Sequence, residues 1–228
     1  MSKPLFVFDF DGVIADSLTL CLQACEHAAY QEGRNITLAR DSWEALDNVT
    51  FEEMARHHGF TGESAARFAA HVFAYTRKMT PPAVFAGMRE SLSVLAEQGE
   101  VVVLSANHSE MIRATLASAE LMNCVSQVLG GEVAGSKGAK LGRLLAEPSV
   151  ELEASWMIGD AVSDIRAAHD AGCRAAAVSW GWQSPSRLAS MLPERMIAHP
   201  RDLAMLKAFA PDQCLTGVQA VALKEDVA

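Results

Sequence analysis

Four short segments of the chain are apolar at every position and do not alternate with polar residues. They comprise residues 5–8, 101–104, 156–158 and 175–178. Uninterrupted apolar runs are typical of strands that are covered on both faces in a parallel sheet. The intervening segments repeat apolar residues at helical spacing, and a further strand is predicted after Val125. Strand alternating with helix predicts an α/β fold with a Rossmann-like, doubly wound parallel sheet.

The interval 16–82 breaks this alternation, because it contains no convincing strand-like run. Its apolar spacing predicts one helix after Ser17 and another after Ser64, and the pair Pro81-Pro82 ends the second. A helical block inserted after the first strand is expected to cover the carboxyl edge of the sheet, where ligands of such sheets bind. The expected domains are an α/β core of residues 1–15 and 83–228 and a helical cap of residues 16–82.

Charge and cysteine content narrow the class of protein. Nineteen Lys and Arg against 28 Asp and Glu give a net charge of −9, which disfavours nucleic acid and anionic membranes as partners. No signal peptide or membrane span is visible, and five cysteines without a CxxC pair indicate reduced thiols in a cytoplasmic protein. A zinc site at Cys21, Cys25 and His27 is a less favoured alternative to simple packing.

Acidic residues follow two of the predicted strands. Asp9 and Asp11 end the first strand, and Asp160 and Asp164 follow the segment 156–158. If these strands are parallel neighbours, the four carboxylates converge, and hard oxygen ligands favour Mg²⁺ as the cation that joins them. Like charges about 4 Å apart repel by about 4 kcal/mol at an effective dielectric of roughly 20, so four carboxylates at one point require that cation.

Four more residues fall at the same predicted edge. Ser105 and Asn107 follow the second strand, and Lys137 begins the helix that leads to the third. Asn107 is expected either to make a polar contact at the strand end or to cap the following helix. Gly12 permits close backbone approach and a positive φ. The Gly-Ser-Lys order at 135–137 lacks the spacing of a nucleotide-binding P-loop, which disfavours that alternative.

In this order the residues resemble the motifs of the haloacid-dehalogenase-like superfamily of phosphohydrolases. The segment 9–17 is similar to the first motif, Ser105 to the second, Lys137 to the third and the segment 159–164 to the fourth. The resemblance extends to about Leu206. The Trp-Gly-Trp sequence that follows the last predicted strand is similar to that of the phosphoglycolate-phosphatase-like branch, which has an inserted helical cap.

The resemblance also selects between two lysines. Lys137 precedes Gly159 by 22 residues, similar to relatives whose lysine is followed by glycine, so Lys137 is preferred over Lys140. The Lys-Pro-x-Pro form common in phosphoglycolate phosphatases is absent.

The resemblance implies roles that agree with physical chemistry. Asp9 is expected to attack phosphorus and form an aspartyl-phosphate. Asp11 is expected to protonate the leaving alkoxide and later to deprotonate water, which requires a raised pKa. The expected Mg²⁺ ligands are Asp9, Asp160 and the Asp11 carbonyl, supported by Asp164. The expected phosphate-binding residues are Ser105, Lys137, Asn107 and Gly12.

The expected function is Mg²⁺-dependent hydrolysis of a small, phosphoglycolate-like phosphomonoester. A sugar phosphomutase of the β-phosphoglucomutase kind is an alternative, because the same residues serve both reactions. A catalytically idle regulatory protein is disfavoured, because no nucleophile, lysine or metal acid is missing. Trp180 and Trp182 are predicted to serve packing. Some cap residues are candidates for binding a substrate carboxylate or hydroxyl, but most Arg and Lys residues on amphipathic helices form a solvated face, so none is selected. They are Arg34, Arg40, Trp43, Arg56, His57, His58, Arg77 and Lys78.

Overall fold

The computed structural model describes residues 2–208, so the tail 209–228, which carries no recognised motif, lies outside it. The strands are β1 (Leu5–Phe8), β2 (Glu100–Leu104), β3 (Gln127–Leu129), β4 (Trp156–Gly159), β5 (Arg174–Val178) and β6 (Arg195–Ile197). The helices are α1 (Leu18–Gln31), α2 (Phe51–His57), α3 (Glu63–Thr76), α4 (Met88–Ala96), α5 (Ser109–Ser118), α6 (Lys137–Leu145), α7 (Val162–Ala171) and α8 (Pro185–Ala189).

The six strands form one sheet in the order β3-β2-β1-β4-β5-β6, and every pair is parallel. This confirms the predicted α/β fold. β1 lies in the middle, with Phe8 opposite Val103 of β2 and Ile158 of β4. The residues that follow β1, β2 and β4 therefore meet at one edge of the sheet. The sequence did not predict β6, a three-residue strand in which only Ile197 is buried.

Both faces of the sheet are buried, which explains the unbroken apolar runs. Side chains of successive residues in β1 point to opposite faces: Phe6 and Phe8 join one hydrophobic cluster, and Leu5 and Val7 join the other. Each large side chain that is fully buried contributes roughly 1.5–3 kcal/mol relative to leaving it exposed. The sheet therefore fixes the positions of its strand ends firmly.

The helices α1, α2 and α3 pack against one another around a third hydrophobic cluster. Trp182, which follows β5, is the one member of this cluster from outside the interval 16–82. α1 begins directly after Ser17, as expected. The helix predicted after Ser64 is present but begins two residues earlier: α3 starts at Glu63, and Gly62, with φ +52°, occupies the position before it.

The cysteine residues of this cluster do not support the zinc alternative. Cys21 and Cys25 are buried free thiols, and burial raises the pKa of each. The His27 ring packs against Tyr75 with centroids 4.9 Å apart. Within residues 2–208, the only cluster of potential metal ligands is made of aspartates.

The two segments that connect the helical block to the sheet run side by side. The amide of Asp16 donates to the carbonyl of Ala83 at 2.8 Å, and the amide of Phe85 donates to that of Ile14 at 3.0 Å. These contacts bring the chain's entry into the block and its exit together over the end of β1. None of the described helices is long and apolar enough to cross a membrane.

Candidate active site

Three aspartates meet at the carboxyl edge of the sheet. Oxygen atoms of Asp9, Asp160 and Asp164 lie within 4.8 Å of one another. Asp9 follows β1, Asp160 follows β4, and Asp164 lies in the first turn of α7. All three are at most 8% exposed. Burial, and then the charge of Asp9, raise the pKa of Asp160, so the ionised cluster needs a compensating positive charge.

Close packing around Asp160 explains the glycines on either side of it. A Cβ on Gly12 would lie 2.2 Å from the Oδ2 atom of Asp160, and a Cβ on Gly181 would lie 2.2 Å from its Cβ atom. Gly12 also has φ +79°, in the left-handed region that favours glycine. The backbone amide of Trp182 donates to Asp160 Oδ2 at 2.6 Å and holds the carboxylate in place.

The Asp11 carboxyl group is not part of this three-aspartate cluster and accepts hydrogen bonds from two other side chains. The Ser17 hydroxyl donates to its Oδ1 atom at 2.6 Å, and Asn107 Nδ2 donates to its Oδ2 atom at 2.8 Å. Burial raises the pKa of Asp11 to about 6, although the Ser17 hydrogen bond opposes the shift. A carboxyl group with this pKa can both give and take a proton near neutral pH.

The two candidate lysines have clearly different surroundings. Lys137 Nζ lies 2.7 Å from Asp164 Oδ1 and 3.1 Å from Asp9 Oδ2. Burial opposes its charge, but Asp164 and Asp9 raise its pKa, so it stays an ammonium ion. Lys140 is 5% exposed and donates to the carbonyl of Gly130 at 2.8 Å. The structure brings Lys137 into the site and leaves Lys140 outside it.

Ser105 and Asn107 lie next to the carboxylates, as the sequence predicted. Ser105 is 4% exposed, and its Oγ atom accepts from the amide of Asn107 at 3.2 Å. Asn107 makes the polar contact with Asp11 and does not cap α5, whose N-cap residue is His108. The small cavity beside these residues has a volume of about 20 Å³, enough for about one water molecule. Its lining residues are Asp9, Asp11, Trp43, Val49, Thr50, Phe51, Ser105, Ala106, Asn107 and Trp182.

None of the cationic cap residues named from the sequence lines this cavity. Arg34 donates to the carbonyl of His58, and Arg40 donates to that of Gly181. Arg56 pairs with two glutamates of its own helix, and Arg77 pairs with Glu110 of α5. Lys78, His57 and His58 are likewise absent from the lining, whereas Trp43 is part of it.

Sequence reasoning missed the contacts that hold the helical block of residues 16–82 against the site. The Gln183 side chain donates to the carbonyls of Trp43, at 3.1 Å, and Leu46, at 2.7 Å. Its Oε1 atom accepts from the amide of Val162, at the start of α7, at 2.8 Å. Ser17 belongs to the segment similar to the first motif and precedes α1, but nothing in the sequence predicts that its hydroxyl binds Asp11. The expectation that Trp182 serves packing is incomplete, because its backbone amide binds Asp160.

The three-aspartate cluster suits a hard divalent cation. Asp9 Oδ1 is buried and has no hydrogen-bond partner among the described residues. A buried carboxylate oxygen without a donor is costly, and a metal ion coordinated to it removes that cost. The donor set consists entirely of oxygen, which matches Mg²⁺ and does not match softer metals.

The fold and the site together define a class of protein: an α/β protein with a parallel sheet and a cluster of buried aspartates at the carboxyl edge of that sheet, where ligands of such folds bind. The family model described as "Haloacid dehalogenase-like hydrolase" matches residues 6–178. The chain therefore belongs to the haloacid dehalogenase-like hydrolase family, and the predicted family is confirmed.

Several named proteins are similar to this chain over most of its length. It is 28% identical over 199 residues to a phosphoglycolate phosphatase of Synechococcus elongatus, covering 86% of this chain and 93% of that protein. It is 29% identical over 210 residues to a phosphoglycolate phosphatase of Chromobacterium violaceum, covering 86% and 94%. A solved haloacid dehalogenase-like family hydrolase from Streptococcus pneumoniae superposes with a TM-score of 0.77 at 16% identity, covering 88% of this chain and 96% of that chain. The last similarity shows the shared fold.

Proposed function

We propose that this hydrolase is a phosphatase that uses Mg²⁺ to hydrolyse a small phosphomonoester through an aspartyl-phosphate. The observation that carries the proposal is the cluster of Asp9, Asp160 and Asp164 with the Lys137 ammonium group inside it. Such a cluster can bind a divalent cation and a phosphoryl group side by side. The relatives named phosphoglycolate phosphatases support the same class of reaction.

In the first step, a carboxylate oxygen of Asp9 attacks phosphorus, and the bond between phosphorus and the leaving oxygen breaks. The protonated Asp11 gives its proton to the leaving alkoxide. The Asp11 pKa of about 6 supports this role, because burial keeps a fraction of the group protonated near neutral pH. The hydrogen bonds from Ser17 and Asn107 orient the carboxyl group for the transfer.

In the second step, Asp11 is ionised and takes a proton from a water molecule as that water attacks phosphorus. The bond between phosphorus and Asp9 breaks, inorganic phosphate leaves, and both aspartates return to their starting states. One residue thus serves as acid and then as base. This requires a pKa above that of an ordinary carboxyl group and close to the pH of the surrounding solution.

The remaining residues bind charge. Mg²⁺, when bound, would neutralise the carboxylates and the phosphoryl oxygens. Its proposed ligands are Asp9, Asp160 and the Asp11 carbonyl, supported by Asp164. The proposed phosphate ligands are Ser105, Asn107, Lys137 and the backbone at Gly12. Lys137 contacts both Asp9 and Asp164, so it also stabilises the carboxylates before substrate arrives.

We also propose that residues 16–82 form a cap that closes over the leaving group, and that residues 1–15 and 83–228 form the core. The paired connections at Asp16 and Ala83 support a hinge there. The cavity beneath the helical block holds about one water molecule in this arrangement, so the proposed cap must open to admit even a small substrate. Phosphoglycolate is the first candidate, on the names of the relatives. The free thiols described for this chain support a cytoplasmic location.

Phosphate release from a panel of phosphometabolites tests the proposal. We expect small phosphomonoesters, including phosphoglycolate, to be hydrolysed with Mg²⁺ and not after chelation, whereas phosphoproteins and polynucleotides are poor substrates. Full activity in excess chelator would show that hydrolysis does not require a metal ion. Conversion of labelled β-glucose 1-phosphate to glucose 6-phosphate without phosphate release would show that the protein is a phosphomutase and not a phosphatase.

A further inference from the structure

Two tryptophan side chains in the site carry buried N–H groups that bind nothing in the described part of the chain. Trp43, from the cap, is 0% exposed, and Trp182, from the loop after β5, is 6% exposed. The Nε1 atom of each lacks a hydrogen-bond partner, and both residues line the cavity that contains Asp9 and Asp11. A buried N–H without an acceptor is unfavourable, so two in one small cavity indicate a missing acceptor.

The geometry of the pair places it beside the reacting groups. The two rings are packed with centroids 4.6 Å apart and planes inclined by 36°. The Cδ1 atom of Trp182, which is bonded to its Nε1, lies 2.8 Å from the position that a Cβ on Gly12 would take. The N–H edge of Trp182 therefore faces the backbone at Gly12, which directly follows Asp11.

Both tryptophans are anchored through their backbones to the acidic cluster. The Trp182 amide binds Asp160 directly. The Trp43 carbonyl is bound by Gln183, whose other end binds the amide of Val162 at the start of α7. The pair is thus held at a fixed position relative to the aspartates while the cap is closed.

The donors around the cavity are neutral groups. Asn107 Nδ2 is committed to Asp11, whereas the hydroxyl groups of Thr50 and Ser105 each accept from a backbone amide and can still donate. Among the described residues that line the cavity there is no Lys, Arg or His. A polar leaving group enclosed there therefore finds its donors among neutral groups, and the two indole N–H groups are buried donors without an acceptor.

We propose that the indole N–H groups of Trp43 and Trp182 bind acceptor oxygens of the leaving group and select small alcohols that carry a second oxygen. This inference rests on the proposed phosphatase activity and assigns its specificity to two neutral donors. A site that supplies hydrogen bonds discriminates against an analogue that cannot use them, because its donors are then left buried without partners.

Three esters of similar size test the proposal with wild-type enzyme. Phosphoglycolate offers a carboxylate, 2-hydroxyethyl phosphate offers a hydroxyl group, and ethyl phosphate offers no second oxygen. We expect kcat/KM, measured by phosphate release with Mg²⁺, to be at least about tenfold higher for the first two esters than for ethyl phosphate, as expected for one hydrogen bond. Equal values for all three would overturn the inference and leave the phosphatase assignment intact. If the enzyme hydrolyses none of these esters and no other phosphomonoester, the proposed function itself is wrong.

Variants then assign the preference to the two indoles. The substitutions Trp43→Phe and Trp182→Phe keep an aromatic ring and remove the N–H group. Each should lower kcat/KM for the oxygen-bearing esters by about tenfold and leave ethyl phosphate nearly unchanged. Trp180→Phe is the matched control, because the Trp180 N–H is committed to the Val13 carbonyl at 3.2 Å; it should change no ratio between esters. A uniform loss on all three esters in the Trp43 and Trp182 variants would show a packing role and contradict the proposal.

Discussion

The carboxyl edge of the sheet and the contact between cap and core are built in different ways. At the sheet edge, Asp9 and Asp160 follow neighbouring parallel strands, so the strand ends alone bring them together. At the cap, the Gln183 side chain donates a hydrogen bond to the carbonyl of Trp43, which is 140 residues away in the sequence. The first arrangement places chemistry on rigid elements, whereas the second lies on the part that we propose opens to admit substrate. We therefore expect substitutions at the edge to affect the chemical step and substitutions at the cap contact to affect binding.

The largest effect is expected at the edge, from Asp9→Asn. A neutral amide does not attack phosphorus, so turnover should fall by about 10⁴-fold or more while the protein stays folded. Phosphate release and circular dichroism check the two parts of this prediction. An Asp9→Asn variant that retains substantial turnover would contradict the covalent mechanism.

A large but incomplete loss is expected from Lys137→Ala. This ammonium group contacts two of the aspartates, and removing a preorganised charge of this kind costs on the order of 10²–10³ in kcat. Lys140→Ala is the matched control on the same helix. Because Lys140 is buried and binds a carbonyl, its loss should lower Tm and spare kcat. A larger loss of kcat in Lys140→Ala than in Lys137→Ala would show that Lys140, and not Lys137, is the lysine of the site.

A smaller effect, mainly on KM, is expected from Gln183→Ala. The variant loses two hydrogen bonds to cap carbonyls, each worth about 1 kcal/mol net, so KM should rise by about fivefold or more with a smaller change in kcat. Acrylamide should also quench tryptophan fluorescence more strongly, because Trp43 becomes exposed when the cap opens. Gln98→Ala, which removes a contact within the α4 region, is the control. Unchanged quenching together with a fall in kcat alone would place Gln183 in the chemistry and not in the cap contact.

The smallest expected effect is a shift in pH dependence from Ser17→Ala. The Ser17 hydrogen bond lowers the pKa of Asp11 against the effect of burial, so its removal should raise that pKa further above about 6. Asp11 must be protonated to donate, so activity is lost as pH rises through its pKa. The alkaline limb of the kcat profile should therefore move to higher pH. Ser126→Ala, whose hydroxyl binds the Val101 carbonyl, should not move it. A shift to lower pH would contradict the acid role.

The sequence predicted the edge more fully than the cap, for a physical reason. Apolar runs mark where the central strands end, and polar residues directly after those ends must share one edge. The runs give no such information about β6, whose residues are mostly exposed, or about α2, which is only seven residues long. The contact of Gln183 with Trp43 depends on how two segments far apart in the sequence pack together. No local sequence pattern predicts that packing.

Charged residues of the interval 16–82 gave the least information about the site. From the sequence they are either substrate ligands or part of a solvated helix face, and in the structure Arg40 binds carbonyls of the loop after β5 and Arg77 pairs with Glu110. Long cationic side chains reach partners several residues away, so their positions in the sequence do not locate their charges. The uncharged Trp43 faces the cavity instead.

Detection of the phosphorylated enzyme tests the central claim most directly. Asp11→Asn should still accept a phosphoryl group from a substrate with a good leaving group, such as an aryl phosphate, but should fail to activate water, so the intermediate accumulates. Acid-quenched enzyme, digested and analysed by mass spectrometry, should then carry one phosphoryl group on the peptide that contains Asp9, and only when Mg²⁺ was present. Phosphate release by the wild-type enzyme with no phosphorylated peptide at any time in either protein would contradict the account.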